Sequence, residues 1–158
     1  MRTRLERQVE VDVPAADLWG YVTDWPRQGE WVPLTRVENV DAADGLGGRF
    51  RAWTGMGPVG FWDPMTITSW ERSPDGGGRC EVLHLGRVVK GEAELTVVAL
   101  DPGASRLVWA EMIRVPGGAL GALAWRAGRP LAERILDRAL ATMRDRLEHG
   151  AARPRRDA

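Results

Sequence analysis

Two residues in this chain have the chemistry of proton transfer, His84 and Glu111. Histidine is the side chain that ordinarily titrates near neutral pH, so His84 is a candidate general acid or base. A carboxylate turned into an apolar interior needs a partner or a raised pKa, so an inward Glu111 would be half of an ion pair or a second proton carrier. The other reading of His84 is a half-buried position at a cavity mouth, bonded to a backbone carbonyl. Cys80 lies four residues before His84, and along a strand that spacing separates them by roughly 13 Å, too far for a nucleophile and its base. Cys80 therefore reads as a small buried hydrophobe. A single cysteine allows no internal disulfide and no cysteine-based zinc site. The only histidines are His84 and His149, and no carboxylates stand at a recognisable ligand spacing from them, so neither a metal nor another cofactor is expected.

The elements that must position these residues follow from the spacing of apolar side chains. Leu5, Val9, Val11 and Val13 alternate with charged neighbours, which predicts a half-buried first strand. Pro14 suits the first turn of a helix with Leu18, Trp19 and Val22 on one side, and Pro26 separates it from a second short helix over Trp25 to Trp31. Thr35 to Val40, Gly48 to Thr54 and Val59 to Glu71 read as strands divided by glycine-rich turns. Two more strands over Arg79 to Ala99 meet at Gly86-Arg87, and a last strand runs from Ser105 to Val115. From Leu131 the positions Ile135, Leu136, Ala139, Leu140, Met143 and Leu147 repeat at helical spacing. A polar tail, expected to be disordered, begins at Gly150.

The Arg79 to Ala99 stretch divides into one apolar and one charged face. If Gly86-Arg87 is a two-residue turn, Leu85 pairs with Val88, and His84, Val82 and Cys80 face Val89, Gly91 and Ala93. Alternation then gathers Cys80, Val82, His84, Val89, Leu95 and Val97 on one face and Arg79, Glu81, Lys90, Glu92 and Glu94 on the other. Such a sheet is covered on one side only. A bent antiparallel sheet with its dry face across one long helix satisfies both patterns, an α+β arrangement that leaves room for a cavity. Pairing back across the Ser73 to Gly78 turn sets Ser69 opposite Cys80, Ile67 opposite Val82 and Met65 opposite His84, all inward. In the last strand, Leu107, Trp109, Glu111, Ile113 and Val115 form the more apolar face and are placed inside, which brings Glu111 into the cavity. A slip of one residue would instead turn Val108, Ala110 and Met112 inward. Arg51, Arg114 and Arg126 are the candidate partners for Glu111.

Several segments also carry a resemblance. Val11-Asp-Val-Pro-Ala-Ala-Asp-Leu-Trp-Gly-Tyr-Val-Thr-Asp, followed by Trp31-Val-Pro-Leu, resembles the opening of the polyketide cyclase/dehydrase family of the START-like, or birch-pollen-allergen-like, superfamily. His84-Leu-Gly, Lys90-Gly-Glu and Ser105-Arg-Leu-Val-Trp-Ala-Glu look like its later landmarks, and the resemblance spans about Glu6 to Leu147. It implies a helix-grip fold: a curved seven-stranded antiparallel sheet wrapped around a long C-terminal helix, with two short helices after the first strand. Members bind lipids, hormones or quinones, cyclise polyketides, or act as chaperone partners, so it implies an apolar cavity rather than one activity.

Eight tryptophans in a chain of 158 residues suit either a packed core or the wall of a pocket for a flat, greasy molecule. Trp19 and Trp31 read as core, Trp70 falls on the outer face, and Trp53 and Trp62 fit either side; an outward cluster would argue for a dimer surface. Gly117 to Arg129 is glycine-rich, apolar and free of acids. It reads either as a mobile lid at the cavity entrance, with Leu120, Leu123, Trp125 and Arg126 at the rim, or as a short helix packed on the sheet.

The length fits one domain over residues 1–149. Zero net charge gives no electrostatic case for nucleic acid or an anionic membrane. No signal peptide or membrane span is expected, so a cytoplasmic protein, monomeric or homodimeric, is the default. Three function classes remain: a binder of a small hydrophobic molecule (lipid, polyketide or aromatic metabolite), a metal-free polyketide cyclase or aromatase acting in the same cavity, and a protein-interaction module using the outer face and its tryptophans.

Overall fold

Seven strands pair into one antiparallel sheet in the order β1-β7-β6-β5-β4-β3-β2. They are β1 (Arg2–Val11), β2 (Thr35–Asp41), β3 (Arg49–Met56), β4 (Val59–Arg72), β5 (Gly78–His84), β6 (Gly91–Asp101) and β7 (Ala104–Arg114). Helix α1 (Ala15–Val22) and a 3-10 helix (Trp25–Glu30) link β1 to β2, which form opposite edges of the sheet, and α2 (Gly118–Gly150) closes the chain. The computed structural model describes residues 1–41 and 44–150. The expected disordered tail, apart from Gly150, and two residues of the turn after Asp41 lie outside the described residues. Among the described residues no helix is long and apolar enough to cross a membrane.

This is the helix-grip, α+β arrangement. Pro14 precedes α1, and its carbonyl accepts the first helical bonds from Asp17 and Leu18; Thr23 ends the helix with its hydroxyl on the Trp19 carbonyl at 2.8 Å. Leu18, Trp19, Tyr21 and Val22 are all buried, so α1 is a plug at one end of the sheet rather than a surface helix. The face of α2 that meets the core carries Leu136, Ala139, Leu140 and Met143. Each large apolar side chain so buried contributes about 1.5–3 kcal/mol, which places the docking energy of α2 in its C-terminal half.

Three registers depart from expectation. The β5–β6 connection runs from Leu85 to Lys90 rather than being a two-residue turn, so His84 pairs with Gly91, Val82 with Ala93 and Cys80 with Leu95. The offset is two residues, which preserves the face of every side chain. The longer loop is anchored by the Leu85 N–H, which donates to the Pro64 carbonyl at 2.8 Å. In β4 a bulge between Ile67 and Ser69 leaves Met65–His84 and Ile67–Val82 as expected but pairs Ser69 with Glu81 and Trp70 with Cys80. Ser69 thereby leaves the inner face, its hydroxyl 3.4 Å from Glu71, and Trp70 turns inward to meet Trp19 edge-on at 5.0 Å. The extra residue places an indole in the core where a serine would have gone. Finally, α2 begins at Gly118 rather than near Leu131 and runs through Pro130. Proline there costs the helix one N–H donor, but the alanines and leucines before it are strong helix formers.

The outer face is wet and charged. Arg79 bridges Glu94 of β6 at 2.7 Å and Glu81 of its own strand at 2.6 Å. Trp53 and Trp62 form a cross-strand pair on this face, 5.6 Å apart, with the Arg51 guanidinium 4.3 Å over Trp62.

Candidate functional site

The inner face of the sheet and α2 form the walls of an open-mouthed cavity of about 280 Å³. Strands supply most of its wall at alternate positions: Phe50, Ala52 and Thr54 from β3, Asp63 and Met65 from β4, Val82 and His84 from β5. Ala93 and Leu95 of β6, with Trp109, Glu111 and Ile113 of β7, complete the sheet side, and Ala132, Ile135 and Leu136 of α2 cover it. The lining is mainly apolar. Its polar side chains are Gln28, Thr35 and Thr54, together with one ionisable cluster.

That cluster is Asp63, His84 and Glu111. Asp63 Oδ2 lies 2.6 Å from His84 Nδ1, and Glu111 Oε2 lies 3.4 Å from Nε2 on the other side of the ring. The Trp109 indole N–H donates to Glu111 Oε1 at 2.8 Å. The side chains of Asp63, His84 and Glu111 are only 6%, 10% and 13% exposed. Burial pulls the His84 pKa down, but the polar contacts and charge of Asp63 and Glu111 outweigh it and raise the value to about 10. At neutral pH the ring is an imidazolium held between two carboxylates. The carboxylates sit on opposite ring nitrogens, and among the described residues no group of three metal-ligating side chains is arranged around one point.

The reach from β5 to β7 depends on the strand between them. Neighbouring strands lie roughly 4.8 Å apart, so His84 and Glu111 must cross β6. There β6 carries Gly91 opposite His84 and Ala93 opposite Glu111. Gly91 adopts a φ of 153°, and a side chain at this position would run into the Met112 carbonyl. Gly86, in the β5–β6 loop, packs directly against Asp63 in the same way.

Of the residues assigned to the cavity from sequence, Met65, Val82, His84 and Val89 line it, as do Leu95, Trp109, Glu111 and Ile113. Ile67 and Cys80 are buried in the core but not on the cavity surface, and Ser69 is turned away by the bulge. Burial, with a smaller push from Glu81, raises the Cys80 pKa to about 12. The partner of Glu111 is His84 rather than an arginine: Arg51 pairs with Glu38 at 2.8 Å on the outer face, and Arg114 and Arg126 are exposed. His84 is bonded to a carboxylate and not to a backbone carbonyl. The expected entrance residues Leu120, Leu123, Trp125 and Arg126 do not touch the cavity; Leu120 and Leu123 point to solvent from the first turns of α2. Asp63 escaped the sequence reading, although it stands two residues before Met65 on the same alternating face.

A family model described as polyketide cyclase/dehydrase and lipid transport matches residues 2–148. The chain belongs to that family. No curated protein sequence matches this polyketide cyclase/dehydrase family member. Its fold is similar to the Zhui aromatase/cyclase from Streptomyces sp. R1128, with a TM-score of 0.74 at 16% identity over 100% of both chains. It is also similar to TTHA0849 from Thermus thermophilus, with a TM-score of 0.76 at 13% identity over 96% of this chain and 100% of that one. The di-domain aromatase/cyclase BexL from the BE-7585A biosynthetic pathway matches with a TM-score of 0.67 at 18% identity, over 92% of this chain. The chain spans 46% of BexL, about half its length. At these identities the likeness is one of fold.

Proposed function

We propose that this family member binds a small hydrophobic molecule in the cavity between the sheet and α2. The observation that carries the reading is a largely apolar cavity of about 280 Å³ whose ionic groups are confined to one cluster. Sites of this kind hold a ligand by its apolar surface and orient it by a few polar contacts. The test is titration with the neutral fluorophore N-phenyl-1-naphthylamine. Saturable enhancement is expected, with about tenfold or greater weakening in Ala93→Phe, which places a ring in the cavity while leaving the circular dichroism spectrum unchanged. Equal enhancement by wild type and Ala93→Phe would sink the proposal.

A second reading, metal-free cyclase or aromatase chemistry on a polyketide, is favoured by one specific observation: the imidazolium between two carboxylates on the cavity wall. Such a group can donate a proton to a carbonyl or leaving hydroxyl and take one back from a substrate C–H or from water. The aromatase/cyclase activity for which Zhui and BexL are named accords with this reading. His84→Ala and Glu111→Gln separate the two readings. A carrier changes affinity, whereas a cyclase loses turnover with binding kept.

A further inference from the structure

The ionic cluster also bears on what the cavity accepts, an inference that rests on the binding reading above. Three cavity-lining side chains carry charge: two carboxylates, Asp63 and Glu111, and one imidazole, His84. Among the described residues no lysine or arginine lines the cavity. Even with His84 fully protonated the cluster sums to one negative charge, so an anionic guest meets like charge in a low-dielectric interior. An apolar acid would have to take up a proton or leave its charge outside.

The hydrogen-bonding state narrows the class further. His84 Nε2 is buried and has no hydrogen-bond partner, because Glu111 Oε2 at 3.4 Å stands at ion-pair rather than hydrogen-bond geometry. On the other side of the ring Nδ1 is already bonded to Asp63. Glu111 Oε1 is already occupied by the Trp109 indole, which leaves Oε2 as its free acceptor. Glu111, on the cavity wall, therefore offers Oε2 as an acceptor beside the buried imidazolium nitrogen. A hydroxyl can donate its hydrogen to Oε2. A carboxylate cannot donate, and a plain hydrocarbon carries no donor.

We infer that the cavity selects uncharged, largely apolar molecules bearing a hydroxyl, phenols or alcohols, and rejects the corresponding carboxylates. Ring-sized probes of matched shape test this at pH 7.5 by equilibrium dialysis against the wild-type protein: naphthalene, 2-naphthol and 2-naphthoate. The expected order is 2-naphthol tightest, naphthalene about fivefold weaker for want of the charge-assisted bond to Glu111, and 2-naphthoate at least about tenfold weaker than 2-naphthol through like-charge repulsion. In Glu111→Gln, which keeps the shape and removes one charge, the gap between naphthol and naphthoate is expected to narrow several-fold. Naphthoate binding as tightly as naphthol would overturn the inference and leave the binding reading standing. Failure of all three to bind would overturn the binding reading and this inference with it. The wild-type comparison alone decides the matter should Glu111→Gln not fold.

Discussion

His84 on β5 reaches Glu111 on β7, Nε2 to Oε2 at 3.4 Å, across a strand that places only Gly91 and Ala93 between them. Glycine at 91 is required twice over: by its positive φ, and by the Met112 carbonyl that occupies the space of a Cβ. Gly91→Val is expected to destabilise the protein by about 2–3 kcal/mol, since the obstructing atom is backbone and cannot swing aside. Urea denaturation measures this, and a midpoint unchanged from wild type would contradict it.

The pH dependence of stability has a definite sign. The folded His84 pKa stands at about 10 against an ordinary 6.5, so between these values the folded protein holds a proton that the unfolded chain has released. The contribution is fully present below pH 6.5 and is lost as pH rises through 10, with a slope of at most about 1.4 kcal/mol per pH unit. Denaturation from about pH 6 to 10 should show wild type losing stability relative to His84→Gln, and parallel curves would refute it.

Leu95 is buried to 4% exposure and touches the cavity. Leu95→Ala is expected to cost about 2–4 kcal/mol, the transfer term plus the enlarged void. A bulky neutral ligand should bind this variant at least as well as wild type. Thermal melts with and without ligand would separate the two effects.

Cys80 is fully buried, and its thiol is pushed up to about 12. Aromatic disulfide reagents at about pH 8 should leave it unmodified in the folded protein and react at once after denaturation. Rapid labelling under native conditions would place Cys80 somewhere other than the core.

Alternation and helical periodicity in the sequence determined seven strands, two short helices and one long one, and with them which face of β5, β6 and β7 is dry. These are local properties: a side chain's face depends on its parity along the strand, so Met65, Val82, His84, Trp109 and Glu111 could be placed on the cavity wall even though the β5–β6 register was off by two. Parity fails wherever the chain gains an odd residue. The bulge beside Thr68 exchanged Ser69 for Trp70 on the inner face, and no local signal marks it because the benefit, an indole against Trp19, comes from a helix some fifty residues away. The partner of Glu111 was likewise a tertiary matter. Arginines looked suitable by charge, but contact depends on distance across the sheet, and only the folded strands bring Asp63, His84 and Glu111 from three separate segments to one wall of the cavity.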